Sequence, residues 1–127
     1  MTRDDYFQGR DKQFPVEWTV DIEANAQQTV ARVNAMLAAF GEPRGINSGW
    51  RPQAINAATP GSAVHSKHMT AQACDVADPH GDLDEWCLDN QELLASIGLW
   101  LEHPASTKGW CHVQTVPPKS GNRVFYP

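Results

Sequence analysis

Residues 66–76 read Ser66-Lys67-His68-Met69-Thr70-Ala71-Gln72-Ala73-Cys74-Asp75-Val76, and the architecture turns on how this stretch runs. It carries an imidazole and a carboxylate seven positions apart. In a helix that spacing is two turns, an axial rise of about 10 Å, too far for both side chains to meet easily on one ion. In a straight strand an odd spacing puts them on opposite faces. His68 and Asp75 can share a ligand only if the chain turns at Thr70-Ala71-Gln72.

Alternation in the neighbouring segments gives a sharper test. In a strand over 73–76, Cys74 and Val76 are the apolar set and Asp75 faces the other way. In a strand over 109–115, Cys111 and Val113 are the apolar set, leaving Trp110, His112 and Gln114 opposite. In a strand over 98–102, Leu99 and Leu101 are the apolar set, leaving Trp100 and Glu102 opposite. If the three apolar sets share one core, Asp75, His112 and Glu102 share the other face of one sheet. With His68 added from the adjoining turn, the face holds three candidate metal ligands and a spare carboxylate. Three protein ligands with an open position match catalytic zinc sites rather than closed structural ones.

Around this core the chain reads as α+β. Ala26, Val30, Val33, Leu37 and Phe40 follow 4-3-4-3 spacing, one face of a helix with Asp21 as N-cap and Gly41 as stop. A second helix is expected over about 83–96, with Asp82 and Glu85 forming a capping box. The segment between them is rich in Gly, Pro, Ser and Asn and reads as loops. Short strands are expected at 46–50, 71–76, 98–102, 109–115 and 123–126, several paired as hairpins. Residues 1–20 read as an arm packed on a single domain spanning 1–127.

Three motifs in this order, Ser48-Gly49-Trp50-Arg51-Pro52, the 66–76 stretch and Trp110-Cys111-His112-Val113-Gln114, resemble the zinc D,D-peptidase family that includes phage endolysins and D-Ala-D-Ala carboxypeptidases. The likeness covers about residues 21–127 and is strongest to the short phage-type members. It rests on Ser66, His68, Ala73 and Asp75, which match that family's Ser-x-His-x-x-Gly-x-Ala-x-Asp motif, and on Trp110 and His112 of its Trp-x-His element. The resemblance implies a small antiparallel sheet with flanking helices, in the hedgehog/DD-peptidase-like class. It also implies Zn²⁺ held by His68, Asp75 and His112, and hydrolysis of peptidoglycan stem peptides by carboxypeptidase or endopeptidase action. Arg51 would contact a substrate carboxylate or the developing oxyanion, a role suited to a guanidinium fork. Ser66 would support the first ligand or shape the pocket, Gln114 is a similar support, and Trp50, Trp100 and Trp110 would line the cleft.

Two positions depart from the family pattern. Ala71 stands where relatives have glycine, and Gly109 stands where many carry the catalytic acid, three residues before the last histidine. The shared-face argument nominates Glu102 as base instead. His103 competes at that strand end, but alternation points it away, and His65 and His80 read as solvated loop residues. Gly109 also leaves open a different class, a zinc-containing binding or virion module that has lost hydrolysis.

Composition sets outer limits. The chain has 127 residues, 41% hydrophobic, with fifteen acidic and ten basic side chains for a net charge of −5. That balance, without a Lys/Arg-rich run, argues against a general nucleic-acid binder. Met1 to Arg10 lacks the apolar segment of a secretory signal, and no stretch is long enough for membrane insertion. A monomer made in a host cytoplasm with phage-type release to the wall, or carried in a virion, fits these features. Cys74, Cys87 and Cys111 are too few for a disulfide framework and are expected as buried thiols.

Overall fold

The computed structural model describes Met1–Pro127 and sets one five-stranded sheet against helices from both halves of the chain. The N-terminal arm is two short helices, α1 (Arg3–Phe7) and α2 (Arg10–Gln13). Thr2 and Asp5 form a capping box at the start of α1, satisfying two donors that a first turn leaves free. Tyr6 and Phe7 are fully buried, and the Tyr6 hydroxyl donates to the Ala73 carbonyl at 2.7 Å. The arm is part of the core rather than a cover on it.

The 4-3-4-3 spacing forms α3 (Val20–Phe40). Its cap is Thr19, whose hydroxyl accepts from the Ile22 N–H at 3.2 Å. Asp21 falls instead in the first turn, where its charge suits the helix dipole. Gly41 closes the helix at φ +90°, the left-handed stop that glycine supplies. A short helix, α4 (Gln53–Ala58), occupies part of the segment read as loops; six residues are too few to display a period. The helix expected over about 83–96 is broken at Asn90 into α5 (Asp82–Asp89) and α6 (Gln91–Ile97). No Asp82–Glu85 box forms. Gly81 sits at the cap position, and the Asp78 carboxylate accepts from the Leu83 and Asp84 N–H groups at 3.1 and 2.8 Å.

The strands are β1 (Ile46–Ser48), β2 (Ala73–Asp78), β3 (Trp100–Glu102), β4 (Gly109–Gln114) and β5 (Val124–Phe125), in the order β1-β2-β4-β3-β5. The sheet is mixed rather than antiparallel, because β5 runs parallel to β3. After β4 the chain reverses and passes β3 to reach its free edge. It therefore runs against β4 and along β3. Cys74, Val76, Leu101, Cys111 and Val113 join α3, α5, α6 and the arm in one continuous core of 17 buried residues. The arm, the helices and the sheet thus share one hydrophobic cluster. All three cysteines are buried and free. No helix is long and apolar enough to cross a membrane.

Candidate metal centre

The opposite face of the sheet carries a row of polar groups set by strand register. Ser48 pairs with Asp75 across β1 and β2, and Asp75 pairs with His112 across β2 and β4. Leu101 pairs with Val113 across β3 and β4; one further step in that register places Glu102 opposite His112. Asp75, His112 and Glu102 therefore share one face of the sheet, as alternation along β2, β4 and β3 predicts. His68 joins the row from a turn before β2. That turn is closed by Ala71 at φ +58°, so alanine adopts the left-handed backbone usually left to glycine.

The three ligand atoms offered by His68, Asp75 and His112 lie within 4.8 Å of one another. His68 is 1% exposed, and its Nδ1–H donates to the Gly49 carbonyl at 2.7 Å. A carbonyl only accepts, so the proton is on Nδ1 and Nε2 carries the lone pair. Nε2 lies 3.2 Å from Asp75 Oδ2, yet it is buried without a hydrogen-bond partner. A lone pair facing a carboxylate oxygen with no proton between them is an arrangement that a shared cation reconciles.

His112 is oriented by the same logic. Gln114 donates its amide N–H to the Val116 carbonyl at 3.0 Å, which leaves Oε1 facing His112 Nε2 at 3.1 Å. The Nε2–H is thereby held outward, and Nδ1 faces Asp75 Oδ1 at 2.8 Å. Fixing the far nitrogen of each imidazole in this way is the support that metal-ligating histidines receive. A buried, unpartnered His68 nitrogen, a His112 nitrogen and a carboxylate between them, with both rings locked behind, fit a zinc ion.

The electrostatics follow from this packing. Burial alone would raise the Asp75 carboxyl, but the adjoining His112 and His68 imidazoles hold it well below the usual carboxylate range. Burial lowers His68 despite Asp75. For His112 burial is outweighed by Asp75, Glu102 and Gln114, and the imidazole is raised. Glu102 is raised by burial, opposed by His112 and reinforced by Asp75 and Asp84.

These groups open on a cleft of about 900 Å³ whose wall includes Arg51, Ser66, Glu102, Trp110 and Gln114. Ser66 makes no hydrogen bond to the His68 ring. Its hydroxyl accepts from the His68 backbone N–H at 3.2 Å and from Arg51 Nη2 at 3.1 Å, so it braces the turn and the guanidinium together. Trp50 must be corrected as a substrate contact. Its ring is 1% exposed, packs edge-on against Phe7 and lies outside the cleft wall. Trp100 is likewise covered, by the Arg123 guanidinium at 4.3 Å. His103 accepts from the Ala105 N–H and stacks on Tyr126, while His65 joins the cleft wall. Sequence reasoning missed Arg10, which also lines the cleft and belongs to no motif.

An α+β domain with a His–Asp–His cluster and an adjacent carboxylate at an open cleft has the layout of a metal-dependent hydrolase. The chain belongs to the peptidase M15 family, whose model matches residues 9–96, and members of that family are zinc peptidases. The matched span holds Arg51, Ser66, His68 and Asp75. Glu102 and His112 lie beyond it and enter the site through strand pairing. No curated protein and no solved structure matches the chain.

Proposed function

We propose that the protein is a zinc-dependent peptidase that hydrolyses peptide bonds in peptidoglycan stem peptides. The observation that carries this reading is the buried, unpartnered His68 Nε2 facing Asp75 and His112 beside a carboxylate in an open cleft. His68, Asp75 and His112 would hold the ion. When bound, zinc supplies Lewis acidity that polarises a carbonyl and lowers the pKa of water. Glu102 takes a proton from the attacking water and returns it to the leaving amine. Its raised pKa, caused first by burial, makes it a better proton acceptor than a solvated glutamate. Arg51 binds a substrate carboxylate or the oxyanion, steadied by Ser66.

Gly109 strengthens the choice of Glu102. Its φ of +101° is a backbone that a glutamate or aspartate adopts only with strain, so the base position of many relatives is closed here by conformation as well as by identity. In Glu102→Gln, kcat on a muropeptide should fall by about 10²–10⁴, with zinc affinity retained. Full activity in that variant would remove Glu102 as base. A zinc-loaded parent protein that turns over no muropeptide would remove the enzyme reading and leave a zinc-containing binding module.

A further inference from the structure

The cleft holds more positive charge than the metal site requires. Arg10, Arg51, Lys67 and Lys119 line it, against Asp75 and Glu102, in a chain whose net charge is −5. The salt bridges of arginine are made elsewhere, by Arg3 and Arg44, so neither Arg10 nor Arg51 has a carboxylate partner. Arg51 is 8% exposed, and its Nε is buried without a hydrogen-bond partner. A desolvated guanidinium without a carboxylate partner is costly in a finished core; beside a cleft an anion can offset that cost.

Arg10 reaches the same place through the arm. Tyr6 and Phe7 anchor α1 in the core. Gln8 and Gly9 then both take left-handed backbone, φ +55° and +77°, which reverses the chain so that α2 begins with Arg10. A non-glycine residue in that region is strained, and what the strain obtains is the position of the next side chain. Arg10 Nη1 donates to the Trp50 carbonyl at 2.9 Å, immediately before Arg51 in the chain. Burial and then the Arg51 charge lower the Arg10 guanidinium, the direction that a neighbouring like charge gives.

We infer that Arg10 and Arg51 form a two-guanidinium subsite that takes a free carboxylate of the peptide substrate. The inference rests on the peptidase reading and on Arg51 as its carboxylate contact, and adds Arg10 to that contact. Arg10 is then a binding residue contributed by the N-terminal arm. One fork can hold both carboxylate oxygens; a second adds charge and further N–H donors that fix how the group is oriented.

The test compares a stem-peptide fragment ending in D-Ala-D-Ala with its C-terminal amide. Binding is measured by calorimetry on zinc-loaded protein in the Glu102→Gln background, with Arg10→Gln and Arg10→Lys added in turn. The parent should prefer the acid. Arg10→Gln should weaken the acid at least about tenfold, with the amide unchanged, and Arg10→Lys should recover part of the loss by keeping the charge. In the Glu102-containing enzyme the Arg10→Gln effect should appear in KM more than in kcat if the contact holds equally in ground and transition states. Equal weakening of acid and amide, no weakening of either, or no acid preference in the parent would each overturn the subsite. Absence of turnover with an intact Arg10-dependent acid preference would instead overturn the peptidase reading alone.

Discussion

Alanine at position 71 occupies left-handed backbone while fully buried, with its carbonyl accepting from the Thr29 hydroxyl at 2.8 Å. An L-residue pays about 1–2 kcal/mol for that conformation relative to glycine. Against this, Ala71→Gly loses about 0.8 kcal/mol of methyl burial and adds about 0.5–1 kcal/mol of backbone freedom in the unfolded chain. These terms nearly cancel, so Ala71→Gly should change unfolding stability by less than about 1 kcal/mol in a urea titration. Ala71→Val adds β-branching at a positive φ and overfills the core, and should cost about 3 kcal/mol or more. Gln114 belongs to the same scale. Its amide alone fixes the far nitrogen of His112, so Gln114→Leu should lower zinc affinity about 10–100-fold in a competitive chelator titration, with the fold intact. A variant that binds zinc as the parent does would show that the His112 ring is held by packing instead.

At the level of elements, α5 draws its N-terminal bonds from a strand, not from its own sequence. Asp78 at the end of β2 caps it, and Asp84 lies behind, 3% exposed. Thr107 donates to Asp84 Oδ2 at 3.0 Å, and Oδ1 has no partner. Burial, with the Asp78 charge nearby, pushes the Asp84 carboxyl up to about 6 from 3.8, although its contacts with Cys111 and Thr107 pull the other way. Between those two values the folded state keeps a proton that the unfolded state has released. Stability therefore falls as pH rises from about 4 to about 6, and the penalty is complete above that. The interval sets a ceiling of about 3 kcal/mol. Asp84→Asn should flatten this part of the stability–pH curve and gain on the parent at pH 7.5, as read from denaturation midpoints at pH 4 and 7.5. A parallel curve for the two proteins would place the titration elsewhere. This cap also shows what remained illegible in the sequence. Periodicity and alternation report which face a residue takes, so α3 and the Asp75–His112–Glu102 row could be read directly. A cap delivered from another element, the break at Asn90 and the parallel addition of β5 depend on where distant segments arrive, and no local spacing encodes that.

Across the whole molecule, the arm, the sheet and the candidate metal centre meet at Gly49. Trp50 and Tyr6 read from sequence as a cleft aromatic and an arm residue; both prove to be core, because the arm inserts beneath the site instead of lying over it. A Cβ at position 49 would fall 1.9 Å from the Tyr6 carbonyl oxygen and 2.8 Å from its carbon, so only glycine allows the two backbones to touch. The carbonyl of the same residue accepts from His68 Nδ1. Gly49→Ala must therefore move either Tyr6, with its hydrogen bond to Ala73, or the carbonyl that orients His68. Either shift costs stability, by about 3 kcal/mol given that buried backbone cannot yield cheaply. The second also loosens the imidazole. The expected outcome is a lowered denaturation midpoint together with at least about tenfold weaker zinc binding, the scale of a lost supporting bond to a ligand histidine. Gly45→Ala is the control, since a Cβ there meets nothing within 4 Å and should change stability by less than about 0.5 kcal/mol. If Gly49→Ala destabilises the fold but binds zinc unchanged, the arm yields and the site does not depend on it. If both fall together, the N-terminal arm is structurally part of the metal centre.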